Sequence, residues 1–240
     1  MPYEMILILY ETRNKPRLSS KGDRRKANAM KITIFGATGA TGTCLVEQAV
    51  ATGHQVTAVV RDPARLATPA GQRLRILTAD VMDPAAISPA VAGADAVLSA
   101  VGPRGSGPTT VSQDSARSII EVMQESGVRR LITVSGSVVT DVGEGPLMSY
   151  LLKPMVRRTL LRHVCADMRR AEEEIGASNL DWTIMRPPRL TGKAATGTYR
   201  TAIDRNLPRG YTISRADLVT CMLSLLDDEA SVHRHIAIAN

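Results

Sequence analysis

Apolar residues along this chain come in short bursts separated by longer amphipathic stretches. Aliphatic and β-branched runs occupy 31–35, 55–60, 74–78, 95–101, 130–135 and 182–185. Continuous apolar runs of this length suit strands buried on both faces. A short last strand fits 235–239. Between the runs, 39–51, 109–126, 160–176 and 214–226 repeat apolar residues at three- and four-residue intervals, the helical period. Gly53 and Gly127 stand where a left-handed residue closes a helix. Asp62-Pro63 predicts an N-cap and first-turn proline for a short helical turn. Strands alternating with helices imply βαβ crossovers. The expected fold class is therefore α/β, a doubly wound, mainly parallel sheet with helices on both faces, in a single domain with a small C-terminal substrate region.

Composition sharpens this picture in three places. Aromatic residues are only 3% of the 240, so the core has to be aliphatic. The net charge of +7 is concentrated at one end: residues 1–30 hold seven Lys or Arg against three Asp or Glu. The remainder is too weakly basic to predict a nucleic-acid surface. Residues 1–29 are polar, basic and broken by Pro16 and Gly22, a composition that cannot bury enough apolar surface to fold alone. They are expected to be a disordered extension, or a mis-assigned start with Met30 as the natural first residue. A basic arm for nucleic acid or an acidic membrane is the rival reading. Residues 30–240 are the expected folded domain. Cys44, Cys165 and Cys221 lack metal or redox spacing, which fits a reducing, cytoplasmic setting. No apolar run has the ~20 residues of a membrane span.

The strongest chemical signal is Ile32-Thr33-Ile34-Phe35-Gly36-Ala37-Thr38-Gly39-Ala40-Thr41-Gly42. A strand enters a glycine turn and then a helix N-terminus, and a second strand closes a βαβ unit of ~30 residues, the context that makes this fingerprint specific. Gly36 allows the tight turn, Gly39 lets the backbone approach a diphosphate, and Gly42 permits close helix–strand packing. Free amides and the helix dipole attract the anion. This predicts a Rossmann-type NAD(P) site with Gly36, Thr38, Gly39, Ala40, Thr41 and Gly42 at the phosphates. Where an NAD site carries an acid, the second strand here leads to Arg61, with Arg65 a turn further on. A guanidinium suits a 2′-phosphate, so NADP(H) is expected over NAD(H), with Asp62 as an N-cap. Asp80 and Val81 are placed for the adenine, and Ala100, Val101 and Gly102 for the nicotinamide ribose.

Catalytic residues are harder to read. A Tyr-x-x-x-Lys pair is absent; Tyr150 and Lys153 are three apart, and Pro154 disfavours helix at Lys153. Ser135 and Ser137, at the end of the fifth strand, are candidates to hydrogen-bond substrate or pass a proton. His233 and His235 read as a solvated strand end, and no metal site is expected. The Gly- and Pro-rich stretches 143–146 and 191–210 are candidate lids, since ligands in open α/β sheets bind beyond the carboxyl ends of strands.

From Met30 to about Asp227 the chain resembles the atypical short-chain dehydrogenases with an NAD(P)H-binding domain, especially the biliverdin reductase B/flavin reductase branch, with NmrA-like relatives. The resemblance rests on Ile34–Gly42, Val59-Val60-Arg61-Asp62, Ala79-Asp80-Val81, 91–97, 108–111 and Met185–Pro188 with Thr196–Tyr199. It implies a loop after Pro187-Pro188 that covers the substrate. The branch's histidine is replaced by Arg189, which with Arg186 and Arg104 suits an anionic substrate near Pro188. The expected function is an NADPH-dependent reductase passing hydride to a flavin, quinone or other conjugated small-molecule acceptor, as a monomer or homodimer. A non-catalytic NADP(H)-sensing regulator and a sugar-nucleotide epimerase or dehydratase are the alternatives.

Overall fold

The computed structural model describes residues 29–140, 142–143 and 161–240. Ten strands are described: β1 (Lys31–Phe35), β2 (Gln55–Val60), β3 (Leu74–Thr78), β4 (Ala96–Ser99), β5 (Arg130–Val134), β6 (Asp181–Arg186), β7 (Arg189–Thr191), β8 (Arg200–Ile203), β9 (Thr212–Ser214) and β10 (Arg234–Ala239). The described α-helices are α1 (Ala40–Ala51), α2 (Pro84–Val91), α3 (Val111–Ser126), α4 (Arg162–Ala177) and α5 (Arg215–Ser224). Eight strands form one sheet in the order β3-β2-β1-β4-β5-β6-β10-β8. All neighbours run parallel except β10 and β8. The first six follow the Rossmann order, and the sheet reverses direction of growth between β1 and β4, where such folds open a crevice for ligand.

Strand alternation decides which layer each residue joins. Ile32, Ile34, Val56, Ala58, Val60, Ala96 and Leu98 face one side, against Leu45 and Val46 of α1 and Leu218 and Met222 of α5. Phe35, Val59 and Val97 face the other, against Ile87 of α2, Ile119 and Met123 of α3 and Ile175 of α4. A fully buried side chain of this kind contributes roughly 1.5–3 kcal/mol. Exposed pairs such as Arg117–Glu174 give about 0–1 kcal/mol, so the two apolar layers dominate.

Several expectations are met with shifted ends, and others need correction. The predicted turn after Asp62 is a 3-10 helix, Pro63–Arg65, capped by the Asp62 carboxylate. β4 stops at Ser99, short of Val101. Helix α2 was not predicted; Asp83 caps it and Pro84 starts it, but Pro89 inside it hides the helical pattern. β8 lies within the stretch 191–210 expected to be loop, and β7 and β9, also not expected, border it. With only three or four residues each, they are too short to show a period. Among the described residues no helix is long and apolar enough to cross a membrane. Residues 1–28, Tyr150 and Lys153 lie outside the described residues.

Candidate functional site

The turn after β1 is built by glycines doing different jobs. Gly36 has φ +74°, and a Cβ there would lie 2.6 Å from the Ala100 carbonyl carbon and 2.8 Å from the Val101 nitrogen. Only glycine lets the ends of β1 and β4 approach so closely. A Cβ on Gly42 would lie 2.0 Å from the Gly36 oxygen, so this residue seats α1 on the turn. Gly39 is the N-cap of α1, and its amide donates to the Gly36 carbonyl at 2.9 Å.

The start of α1, like that of α4, differs from those of α2, α3 and α5, and it alone of the two follows a glycine turn. No side chain caps it and no acid lies in its first turn. In α2, Asp83 accepts from the Ala86 amide, and in α5, Ser214 accepts from the Asp217 amide. At α3, the buried Asp167 carboxylate accepts from the amides of Ser112 and Gln113 at 2.9 and 3.0 Å. The first amides of a helix have no partner within it. Those of α1 therefore keep their capacity for an external anion, and the glycines leave room for it. This set of donors fits a dinucleotide diphosphate.

A cleft of about 630 Å³ runs over this turn and across the carboxyl ends of β1 to β5. Gly36, Thr38, Gly39, Ala40 and Thr41 line its middle, Arg61, Asp80 and Val81 one end, and Ala100, Val101, Gly102, Arg104 and Ser135 the other. Asp62 is occupied as a cap, accepting from the Ala64 amide at 3.0 Å. Asp80 does not start a helix; its carboxylate accepts from the Met82 amide at 3.1 Å at the cleft wall. Gly42 lies beneath the wall, in packing, and Arg65 is not on it. Sequence reasoning missed Met82, Met168, Leu190 and Arg215, which also line the cleft. They carry no local signal, because three of them arrive on elements distant in the chain.

The substrate-side expectations are only partly met. Ser135 reaches the cleft; its amide donates to the Met185 carbonyl at 2.8 Å. Its buried hydroxyl has no hydrogen-bond partner among the described residues. Ser137 does not line the cleft: its amide donates to the Pro187 carbonyl, and its own carbonyl accepts from the Asn206 side chain. The expected anionic pocket is not assembled. Arg186 is partly buried and held by Glu172, with Nη2–Oε2 at 2.5 Å and Nε–Oε1 at 3.1 Å. Arg189 is exposed on β7, and neither it nor Pro188 lines the cleft. Of the three arginines, Arg104 alone does.

Within the candidate lid 191–210, Thr196 and Gly197 are pinned. The fully buried Asp217 accepts from the amides of Thr196 and Gly197, and from the hydroxyls of Thr196 and Ser214. Burial pushes its carboxyl up, and these hydrogen bonds pull it further down, leaving it below the ordinary aspartate value. Nearby, burial raises the Tyr199 phenol well above its ordinary range. Of the two histidines, His233 is exposed, as expected, and His235 is half-buried. His233 bonds the Leu180 carbonyl, and both rings pack on Trp182. Among the described residues no group of three metal-ligating side chains occurs.

Comparison with known proteins agrees with this geometry. A family model described as NAD(P)H-binding matches residues 36–229. A chloroplastic protein of Arabidopsis thaliana is 30% identical over 224 residues, covering 88% of this chain and 78% of its own. A short-chain dehydrogenase/reductase of Veillonella parvula, solved in complex with NADP, superposes with a TM-score of 0.75 at 20% identity, covering 88% of this chain and 94% of its own. The anaerobillin reductase ChuY of Escherichia coli gives 0.69 at 23% identity, covering 87% and 96%.

Proposed function

The chain belongs to the NAD(P)H-binding family, and from that premise we propose that it is an NADPH-dependent reductase that passes hydride to a flavin, quinone or similar conjugated small molecule. The observation that carries this reading is the distribution of groups along the cleft. Arg61 stands at the end of β2, and its neighbour Asp62 is engaged as a cap. A planar guanidinium there suits the 2′-phosphate that distinguishes NADP from NAD. The nicotinamide would then lie over Ala100 to Gly102, beside Ser135. When bound, the cofactor supplies the hydride, and the protein supplies placement.

The described part of the wall suits reduction of a conjugated acceptor. Among the described residues that line the cleft there is no Tyr, Lys, His or Cys. Beside Ser135 these described residues offer no strong general acid or base, a lining that suits an acceptor that delocalises the incoming electrons. ChuY, a reductase by name, and the NADP-bound Veillonella protein favour the same reading. The test is consumption of NADPH, against NADH, with FMN, FAD, riboflavin, quinones and bilins. Turnover of one of these, with NADPH preferred, is expected. Tight NADPH binding with no turnover of any acceptor would overturn the reductase reading and leave a cofactor-sensing role.

A further inference from the structure

Behind Ser135 lies a second, smaller cavity between the sheet and helices α3 and α4. It measures about 30 Å³ and shares Val101, Val134, Ser135 and Met168 with the cleft. Its far side includes Glu172 of α4. A cavity holds a water once it offers ~10–15 Å³, provided polar partners are present, so this one has room for about two. Its polar walls are Ser99, Ser112, Ser115, Thr133, Ser135 and Glu172. A buried hydroxyl without a partner is rare, because leaving it unpaired costs about 1–3 kcal/mol. The Ser135 hydroxyl is such a group among the described residues.

We propose that this chamber is a water site and that Glu172 is a positioning residue for Ser135. The argument is one of hydrogen-bond polarity. Arg186 fixes the Glu172 carboxylate by two bonds in an ion pair. His235 faces it too, with Nε2 3.8 Å from Oε2, and burial lowers the pKa of that histidine, favouring its neutral form. An ionised carboxylate only accepts, and it has lone pairs beyond those that meet Arg186. A chamber water that donates one hydrogen to Glu172 has its second hydrogen for the next water or for Ser135 Oγ. In the proposed arrangement the serine oxygen accepts from the chamber. Its own hydrogen is then left to point into the cleft. Ser135 thereby acts as a donor toward a carbonyl oxygen or ring nitrogen on which negative charge grows as hydride arrives. The acceptor class this favours carries such an atom at the reacting end, as quinones and flavins do.

The proposal rests on the reductase reading, so its test has one arm that needs no turnover. A high-resolution crystal structure with NADP⁺ should show water bonded to Ser135 Oγ, and this water should be lost or displaced in Glu172→Gln. A dry chamber overturns the proposal even if the enzyme is active. The second arm is kinetic, with a quinone acceptor. Ser135→Ala should lower kcat by about 100-fold, the scale of removing one donor to a developing oxyanion. Ser135→Thr should restore most of it. Glu172→Gln should lower kcat in the same direction while the NADPH KM stays unchanged, and adding it to Ser135→Ala should cost nothing further. A fall in thermal stability with wild-type kcat would mean that Glu172 is only structural, and would sink the proposal. Absence of any turnover would remove the reductase reading, and the chamber would then stand or fall on the crystallographic water.

Discussion

The two halves of the cleft are made of different material. The half over α1 is mostly main chain: glycine turns, helix amides and strand ends within one βαβ unit. The half over β5 is mostly side chain, with Ser135, Met168 and Arg104 brought from three different connections. Main-chain donors sit where the fold puts them, and their strength does not depend on a rotamer. Side-chain donors depend on what stands behind them, here Glu172 and Arg186. The first half can therefore serve any member of a large family, while the second is where specificity for an acceptor is set.

The hardest way to break that comparison is to add a methyl group under the main-chain half. In Gly42→Ala the new carbon meets the Gly36–Ala37 backbone, with three of its atoms at 2.0, 2.7 and 2.8 Å, and backbone cannot rotate aside. The expected loss is about 3 kcal/mol or more of stability, with no measurable NADP⁺ binding. Gly39→Ala is the matched control, since its Cβ meets only the Gly36 oxygen at 3.2 Å. It should fold with stability within about 1 kcal/mol of wild type and still bind NADP⁺ poorly, because the methyl would stand where the diphosphate approaches. Thermal melts and titration calorimetry on the pair separate packing from binding. Wild-type melting of Gly42→Ala would refute the packing argument.

The next largest effect tests whether the main-chain half reads the cofactor's charge. Removing a charge-assisted hydrogen-bond partner costs about 1.5–3 kcal/mol. Arg61→Ala should therefore weaken NADPH binding by roughly 10- to 100-fold and leave NADH binding nearly unchanged. Equal losses for both dinucleotides would return the 2′ selectivity to another residue.

This difference in material also explains what could be read from the sequence. Gly36, Gly39 and Gly42 announce themselves because their spacing, the strand before and the helix after are all local. Arg61 and Asp80 follow from counting strands. By contrast, Arg186 and Arg189 are three residues apart, yet one is clamped under the sheet by Glu172 and the other faces solvent. Nothing local distinguishes them. What decides is that Glu172, fourteen positions earlier on another element, points at Arg186. Met168, Leu190 and Arg215 enter the cleft for the same non-local reason. The candidate lid shows the limit in another way. Its glycines and threonines look like a free loop until Asp217, some twenty residues later, collects their amides.

That staple gives a prediction of intermediate size. The carboxyl of Asp217 lies below its ordinary value when folded, so the folded state favours the charged form. Its stabilisation is complete above the unfolded value near ~3.9 and is lost as pH falls through the lower folded value. Acidification below about pH 4 should loosen the 196–197 segment first, seen as faster amide exchange at Thr196 and Gly197. Asp217→Asn should lose about 1–3 kcal/mol at neutral pH and show a shallower dependence on pH in the acid range. An unchanged acid limb would assign that dependence to other carboxylates, such as Asp181, which Arg129 holds low.

The smallest effects sharpen the side-chain half, because they concern two arginines that the sequence places side by side in function and the structure separates. Arg104 lines the cleft, and Arg189 does not. Exposed charges of this kind interact by about 0.2–1 kcal/mol, equivalent to a few-fold in affinity. With FMN as the acceptor, Arg104→Ala should raise its KM by up to about fivefold, and with uncharged riboflavin the change should vanish. Arg189→Ala should leave both acceptors within error. If instead Arg189→Ala raised the KM for FMN and Arg104→Ala did not, then β7 would have to contribute its outer face to the substrate. In that case the acceptor would lie above the β7–β9 ribbon and away from Ser135.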